Sequence, residues 1–151
     1  MSEHKYVLFR IGREEFGIDI MKVKEVTEAK DAVRVPDCPS FVEGIINLRG
    51  DVTPIINLKQ RLGLGSLAGD TASHRIIVLS IEDKLVGFLV DDASQVVSID
   101  DADIEEPPKL TLDNGKEYIE GVGKIGQKMI IILDLIRVLN EEERQEIIAM
   151  N

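Results

Sequence analysis

Two histidines, one cysteine and no tryptophan in 151 residues leave little material for chemistry. A single thiol, Cys38, cannot build an intramolecular disulfide framework, and its isolation fits a reducing compartment. His4 and His74 both sit at segment ends, so neither a histidine base nor a multi-histidine metal site can be assembled, and both read as exposed polar residues. A Cys38 nucleophile would need one of them beside it; between Pro36 and Pro39 it reads instead as an incidental, half-buried thiol. The amino terminus, MSEHK, lacks the apolar stretch of a signal peptide, and no apolar run reaches the ~18 residues that cross a bilayer, so a cytoplasmic location is expected. Walker, kinase and zinc-knuckle signatures are missing as well.

Basic charge is short in one half only. Up to Arg75 the chain carries 11 basic and 11 acidic residues; beyond it, 7 and 17, so the whole net charge of −10 lies in the second half. A field of that sign repels nucleic acid and anionic lipid, which excludes both as expected partners and leaves the neutral first half as the freer docking surface.

What is present is a repeat. Phe41 to Leu62, FVEGIINLRGDVTPIINLKQRL, recurs without a gap as Tyr118 to Leu139, YIEGVGKIGQKMIIILDLIRVL. Each copy runs aromatic, apolar, Glu, Gly, an apolar strand, a turn holding Gly50 or Gly126, a second apolar strand, and then Asn57 or Asp134 opening a short Leu-rich helix. That is a β-hairpin followed by a capped helical turn. Upstream, Tyr6 to Ile20 matches Ile76 to Val90, with Gly17 on Gly87, and Val26 falls on Val96. Extra residues around Pro107, Pro108 and the Asp113-Asn114-Gly115 turn change the spacing.

Period-two alternation places strands near Tyr6 to Ile11 and Phe16 to Ile20 around a Gly12-Arg13-Glu14 turn. Met21 to Glu28 reads as one helical turn leading into a short strand; Gly44 to Leu48 and Val52 to Asn57 form the first repeated hairpin. Pro54 lacks a donor, which puts its strand at an edge or turns its nitrogen away from the ladder. The second half repeats the plan near Arg75 to Ile81, Leu85 to Val90 and Gln95 to Ile99, followed by the acidic loop Asp100 to Pro108 and a hairpin from Ile119 to Asp134. Asn140 with Glu143 spells a capping box for a final helix. The fold class is therefore all-β, two small barrels with short helices, because the helices needed for parallel crossovers are missing. The chain reads as one domain over 1–151: first barrel 5–62, glycine-rich connector 63–74, second barrel 75–139, terminal helix 140–150. Each half, about 70 residues, would bury only a modest core alone, so the two are expected to pack together.

The repeat also serves as an internal control on function. Gly17/Gly87, Gly44/Gly121 and the caps Asn57/Asp134 are kept in both halves and are demanded by the backbone. Arg49 is not, since Gly126 replaces it; nor are Glu25 and Val23, which become Gln95 and Ala93. Arg49 stands at a hairpin tip with a fork of five donors, and either pairs idly with Asp51 or Glu43 or reaches a partner. The run Asp100-Asp101-Ala102-Asp103-Ile104-Glu105-Glu106 offers oxygen ligands but lacks the glycine and glutamate spacing of an EF-hand, so it reads as a solvated loop.

At these residues the sequence resembles the CheW family of bacterial chemotaxis coupling proteins. The resemblance rests on Val35-Pro36, Pro39, Phe41-Val42-Glu43-Gly44-Ile45-Ile46-Asn47-Leu48-Arg49-Gly50 and Pro54-Ile55-Ile56-Asn57-Leu58. It implies two five-stranded SH3-like barrels about a shared apolar junction, no catalytic activity and no cofactor. It also implies a scaffold that links methyl-accepting chemoreceptors to the histidine kinase CheA, recruited from the cytoplasm to membrane-bound receptor arrays. The kinase's regulatory domain shares the fold. Carried over by position, the receptor-facing residues are Val23, Glu25, Gly44 and Arg49, and the kinase-facing residues are Val7, Ile20 and Val23, apolar strand ends expected to form an exposed patch. A CheV-like coupling module is the alternative within the family, disfavoured because no receiver domain follows; an acidic-loop metal-binding protein is the rival from another class.

Overall fold

Gly12, at φ +62°, turns the chain between β1 (Glu3–Ile11) and β2 (Glu14–Asp19), and the stacked rings of Phe9 and Phe16, 5.6 Å apart, hold that hairpin together. The computed structural model describes residues 3–64, 73–106 and 118–150; Pro107-Pro108, the Asp113-Asn114-Gly115 turn and the middle of the connector lie outside them. A 3-10 turn, Ile20–Lys22, follows, capped by the Asp19 carboxylate, and leads into β3 (Val23–Glu28), which is the turn-then-strand reading of that stretch. Then come β4 (Val42–Leu48), β5 (Asp51–Asn57) and α1 (Leu58–Arg61), opened by the Asn57 side chain, which accepts the Gln60 N–H. The second half supplies β6 (Arg75–Ile81), β7 (Lys84–Val90), β8 (Asp92–Asp100), β9 (Ile104–Glu105), β10 (Ile119–Ile125) and β11 (Lys128–Leu133). Two helices close the chain, α2 (Leu135–Val138), capped by Asp134, and α3 (Glu141–Ile148), whose Asn140–Glu143 capping box is complete on both sides.

The sheets do not follow the contiguous halves. One sheet has the order β3-β6-β7-β5-β4 and the other β8-β1-β2-β11-β10-β9, so each half lends its first hairpin to the other. The boundaries 5–62 and 75–139 therefore describe the repeat but not the barrels. Two short parallel pairings make the exchange: Ile55 and Ile56 of β5 lie beside Gly87 and Phe88 of β7, and Ile131 and Ile132 of β11 lie beside Phe16 and Gly17 of β2. The second sheet has six strands because Ile104–Glu105, after the 3-10 turn Asp101–Asp103, pairs with β10, where Val33 in the first half makes only a single bridge to Ile45 of β4. Pro54 lies in an inner strand, correcting the edge reading; parallel pairing to β7 begins only at Ile55, so the residue without an N–H sits just outside that ladder.

Why the hairpins are exchanged follows from burial. In β6, Ile76, Ile77, Val78 and Leu79 are all buried, so both faces of the strand need cover. Ile76 and Val78 face the interior of the five-stranded barrel with Ile46, Leu48 and Ile55. Ile77 and Leu79 face a larger shared core with Phe9, Ile18, Ile56, Phe88, Leu133 and Ile147. In β1, Tyr6 lines the six-stranded interior with Ile99 and Ile132, while Val7, Phe9 and Ile11 enter the shared core. A barrel of either half alone would leave the second face wet.

Candidate functional site

The β4–β5 hairpin closes on a two-residue loop, since Leu48 pairs with Asp51. Such a loop places both central residues at positive φ, and here Arg49 is at +53° and Gly50 at +92°. Glycine, asparagine or aspartate holds the first of these positions cheaply; an arginine costs about 1–2 kcal/mol. Gly126 takes the corresponding position in the β10–β11 hairpin, at +61°. The strained arginine is thus specific to the first copy.

Arg49 projects from the tip with its side chain 79% exposed, and its Nη2 lies 3.3 Å from Glu25 Oε2. The pairing with Asp51 or Glu43 foreseen as the idle alternative is not the one made; Glu43 accepts instead from Asn57 Nδ2 at 2.7 Å. Glu25 reaches the tip because the β3–β6 register shifts between Val23 and Glu25, a bulge that re-aims the strand. β3 and β4 are the outer strands of their sheet, so this ion pair spans the gap where the barrel closes. Val52, on the same hairpin, is an exposed apolar neighbour of the tip.

Gly44 is buried and presents no surface. At φ +142° it lets the β3–β4 connector cross close above it, where Val33 and Ile45 exchange backbone hydrogen bonds at 2.9 Å; a Cβ would fall inside the Val33 carbonyl. Its repeat partner Gly121 lies under the Glu105 carbonyl in the same way. The structure therefore gives Gly44 a backbone role under the Val33 crossing, near the opposite end of β4 from Arg49.

Of the apolar residues expected to form an exposed patch, Val7 does not. It is 5% exposed, facing the shared core from the middle of β1, because β1 is covered on both faces. Ile20 and Val23 are half-buried and pack on that same core. Sequence reasoning missed Met21 between them, 87% exposed at the top of the 3-10 turn; only the adjacent apolar pair Ile20-Met21 hinted that one member must point outward. Lys22 ties this turn to the six-stranded sheet, 2.6 Å from Glu120 Oε1 and 3.4 Å from Asp134 Oδ2. Burial pulls the Lys22 ammonium's pKa down, but the hydrogen bond to Glu120 and the charges of Asp134 and Glu120 outweigh it and hold it above the ordinary lysine value.

The remaining polar candidates are dispersed. In the acidic loop Asp101 pairs with His4 at 2.6 Å and Glu105 with Lys124 at 2.7 Å, and among the described residues no group of three or more His, Cys, Asp or Glu side chains is gathered as metal ligands would be. His74, read as exposed, is buried at 6% because it immediately precedes β6 beneath the β3–β4 connector, where it faces Asp91. No helix among the described residues is long and apolar enough to cross a membrane.

Comparison with known proteins bears on this surface. Residues 5–143 match the CheW-like domain. The chemotaxis protein CheW of Treponema pallidum (strain Nichols) is 35% identical over 149 residues, covering 97% of this chain and 88% of the relative. The chemotaxis protein CheW of Rhizobium meliloti (strain 1021) is 37% identical over 139 residues, covering 92% and 89%. Among solved structures, the scaffolding protein TtCheW from Thermoanaerobacter tengcongensis superposes with a TM-score of 0.83 at 38% identity, covering 94% of this chain and 96% of that one. With two interleaved β-sheets, the Phe41–Leu58 motif and similarity along nearly its whole length, the chain belongs to the CheW-like domain family of chemotaxis scaffold proteins.

Proposed function

We propose that the protein is a non-catalytic adaptor that couples methyl-accepting chemoreceptors to the regulatory domain of the histidine kinase CheA, in the cytoplasm at membrane-bound receptor arrays. The observation that carries the reading is Arg49: a strained, exposed arginine, absent from the second copy, held over Glu25 at the open side of a barrel. Glu82 and Asp83 take left-handed backbone at the β6–β7 tip as well, so what sets Arg49 apart is that the matching hairpin of the second copy closes at lower cost with Gly126. Arg49 and Glu25, with Val23 on the same strand as Glu25, form the receptor-facing surface, and Gly44 serves it through the backbone of β4, the strand that carries the Arg49 tip. Ile20 and Val23 form the kinase-facing end, and Val7 supports it from the core.

The mechanism needs no bond made or broken. A receptor state that contacts the Arg49 surface differently shifts the population of kinase states through a rigid scaffold. The test is a titration of the full chain with a receptor cytoplasmic tip and, separately, with the CheA regulatory domain. Both are expected to bind. Arg49→Gly should weaken the receptor complex by about 1–3 kcal/mol and leave kinase binding as it was. Wild-type protein that binds neither fragment overturns the proposal, and an unchanged receptor affinity in the variant removes Arg49 from the surface.

A further inference from the structure

Asp91 is a carboxylate buried at the single residue where the chain leaves β7 of the five-stranded sheet and enters β8 of the six-stranded sheet. Its side chain is 8% exposed, and groups from both sheets converge on it. Oδ2 accepts the Gly12 N–H at 2.5 Å, from the β1–β2 turn of the six-stranded sheet. The same oxygen stands 4.0 Å from Lys59 Nζ, on α1 at the end of β5 in the five-stranded sheet. Among the described residues Oδ1 has no hydrogen-bond partner, and it faces His74 Nε2 at 3.5 Å, from the residue that precedes β6. The Asp91 N–H donates to the Arg10 carbonyl at 3.0 Å, again across to β1.

Burying an ion group of this kind costs several kcal/mol, and well-packed apolar side chains in its place commonly stabilise a protein more. Its merit must lie elsewhere. The core between the sheets is built of aliphatic and aromatic side chains, whose attraction is non-directional and allows one layer to slide or rotate on another. A short charge-assisted hydrogen bond does not allow this. Asp91 supplies such a bond at the crossover itself, with Lys59 neutralising it from the opposite sheet.

We propose that Asp91 is a positioning residue, a clasp that fixes the angle between the two sheets about their shared core. The proposal is independent of which partner each surface takes. Its consequence for a scaffold is direct: the Glu25–Arg49 surface lies on one sheet and β1, β2 and β8 on the other, and the clasp keeps their relative orientation narrow.

The test uses spin labels at Lys24→Cys on β3 and Gln127→Cys on the β10–β11 turn, in full-length protein carrying Cys38→Ser, with the distance distribution read by pulsed dipolar spectroscopy. Asp91→Ala should at least double the width of the distribution. Asp91→Asn, which keeps an oxygen for the Gly12 N–H but loses the charge, should fall between. Val78→Ala, confined to the interior of the five-stranded barrel, should lower Tm without widening it, which separates orientation from stability. Should Asp91→Ala fail to fold, Asp91→Asn decides. Unchanged width in the Asp91 variants, or equal widening in Val78→Ala, overturns the proposal.

Discussion

At the scale of single residues, the two halves of the repeat act as each other's control, and Arg49 and Gly44 show opposite outcomes. Gly44 has a glycine partner because backbone geometry requires one: Gly44→Ala places a methyl group against the Val33 carbonyl at a φ of +142°, and should cost at least about 1–3 kcal/mol in denaturant unfolding. Arg49→Gly runs the other way. Relief of about 1–2 kcal/mol of left-handed strain, set against an exposed ion pair worth about 0–1 kcal/mol, predicts a midpoint equal to or above wild type. A protein that is no less stable yet binds receptor poorly would show function held against stability at that tip. The sequence made Arg49 and Glu25 legible because each is missing from the second copy. It could not show that the two touch, since a register shift in β3 and barrel closure bring them together.

Secondary-structure elements were legible wherever local chemistry decides them. The caps at Asn57, Asp134 and Asn140 are all in place, and each accepts the backbone N–H groups that its spacing foretold. Asn140→Ala should therefore destabilise α3 by about 1 kcal/mol, seen as a lower unfolding midpoint with Ile147 contacts loosened. The 3-10 turn at Ile20–Lys22 carries a pH signature. With its pKa raised in the folded state, Lys22 adds stability that is fully present below the ordinary lysine value, about 10.4, and is lost as pH rises through the higher folded value. Wild type should therefore exceed Lys22→Met in Tm at neutral pH and converge with it at the alkaline pH that deprotonates Lys22 in the folded protein. A gap that stays constant to that pH would remove the Glu120 and Asp134 contacts as its source. Exposure along this turn was the illegible part: alternation assigns faces to a strand, but β1 is covered on both, so Val7 went inside and Met21 was left outside.

For the molecule as a whole, the repeat announced two barrels but concealed their exchange of hairpins. Nothing in a period-two pattern says whether β2, already paired to β1, takes its second neighbour from its own half or from β11, because alternation assigns faces and not partners. The continuous burial of Ile76 to Leu79 was the available signal, since a strand with two apolar faces needs two layers of cover. Exchange makes the halves interdependent. Residues 1–64 alone should lack the cooperative transition of the full chain and gain it on mixing with 73–151, measured by circular dichroism during heating; an independently melting half would contradict the interleaved core. Phe88→Ala, at the shared junction, should cost about 3–5 kcal/mol and lower one transition rather than split it.

The parallel contact between β2 and β11 also sets a timetable for synthesis. β2 is finished at Asp19, but its neighbour begins only at Lys128. At the usual pace of about 5–20 residues per second, the first hairpin to leave the ribosome waits on the order of 5–20 s for the strand that completes its sheet. The five-stranded sheet is fully translated once Val90 has emerged, so it can assemble first and offer Ile77, Leu79 and Phe88 as a ready surface on which the waiting hairpin settles.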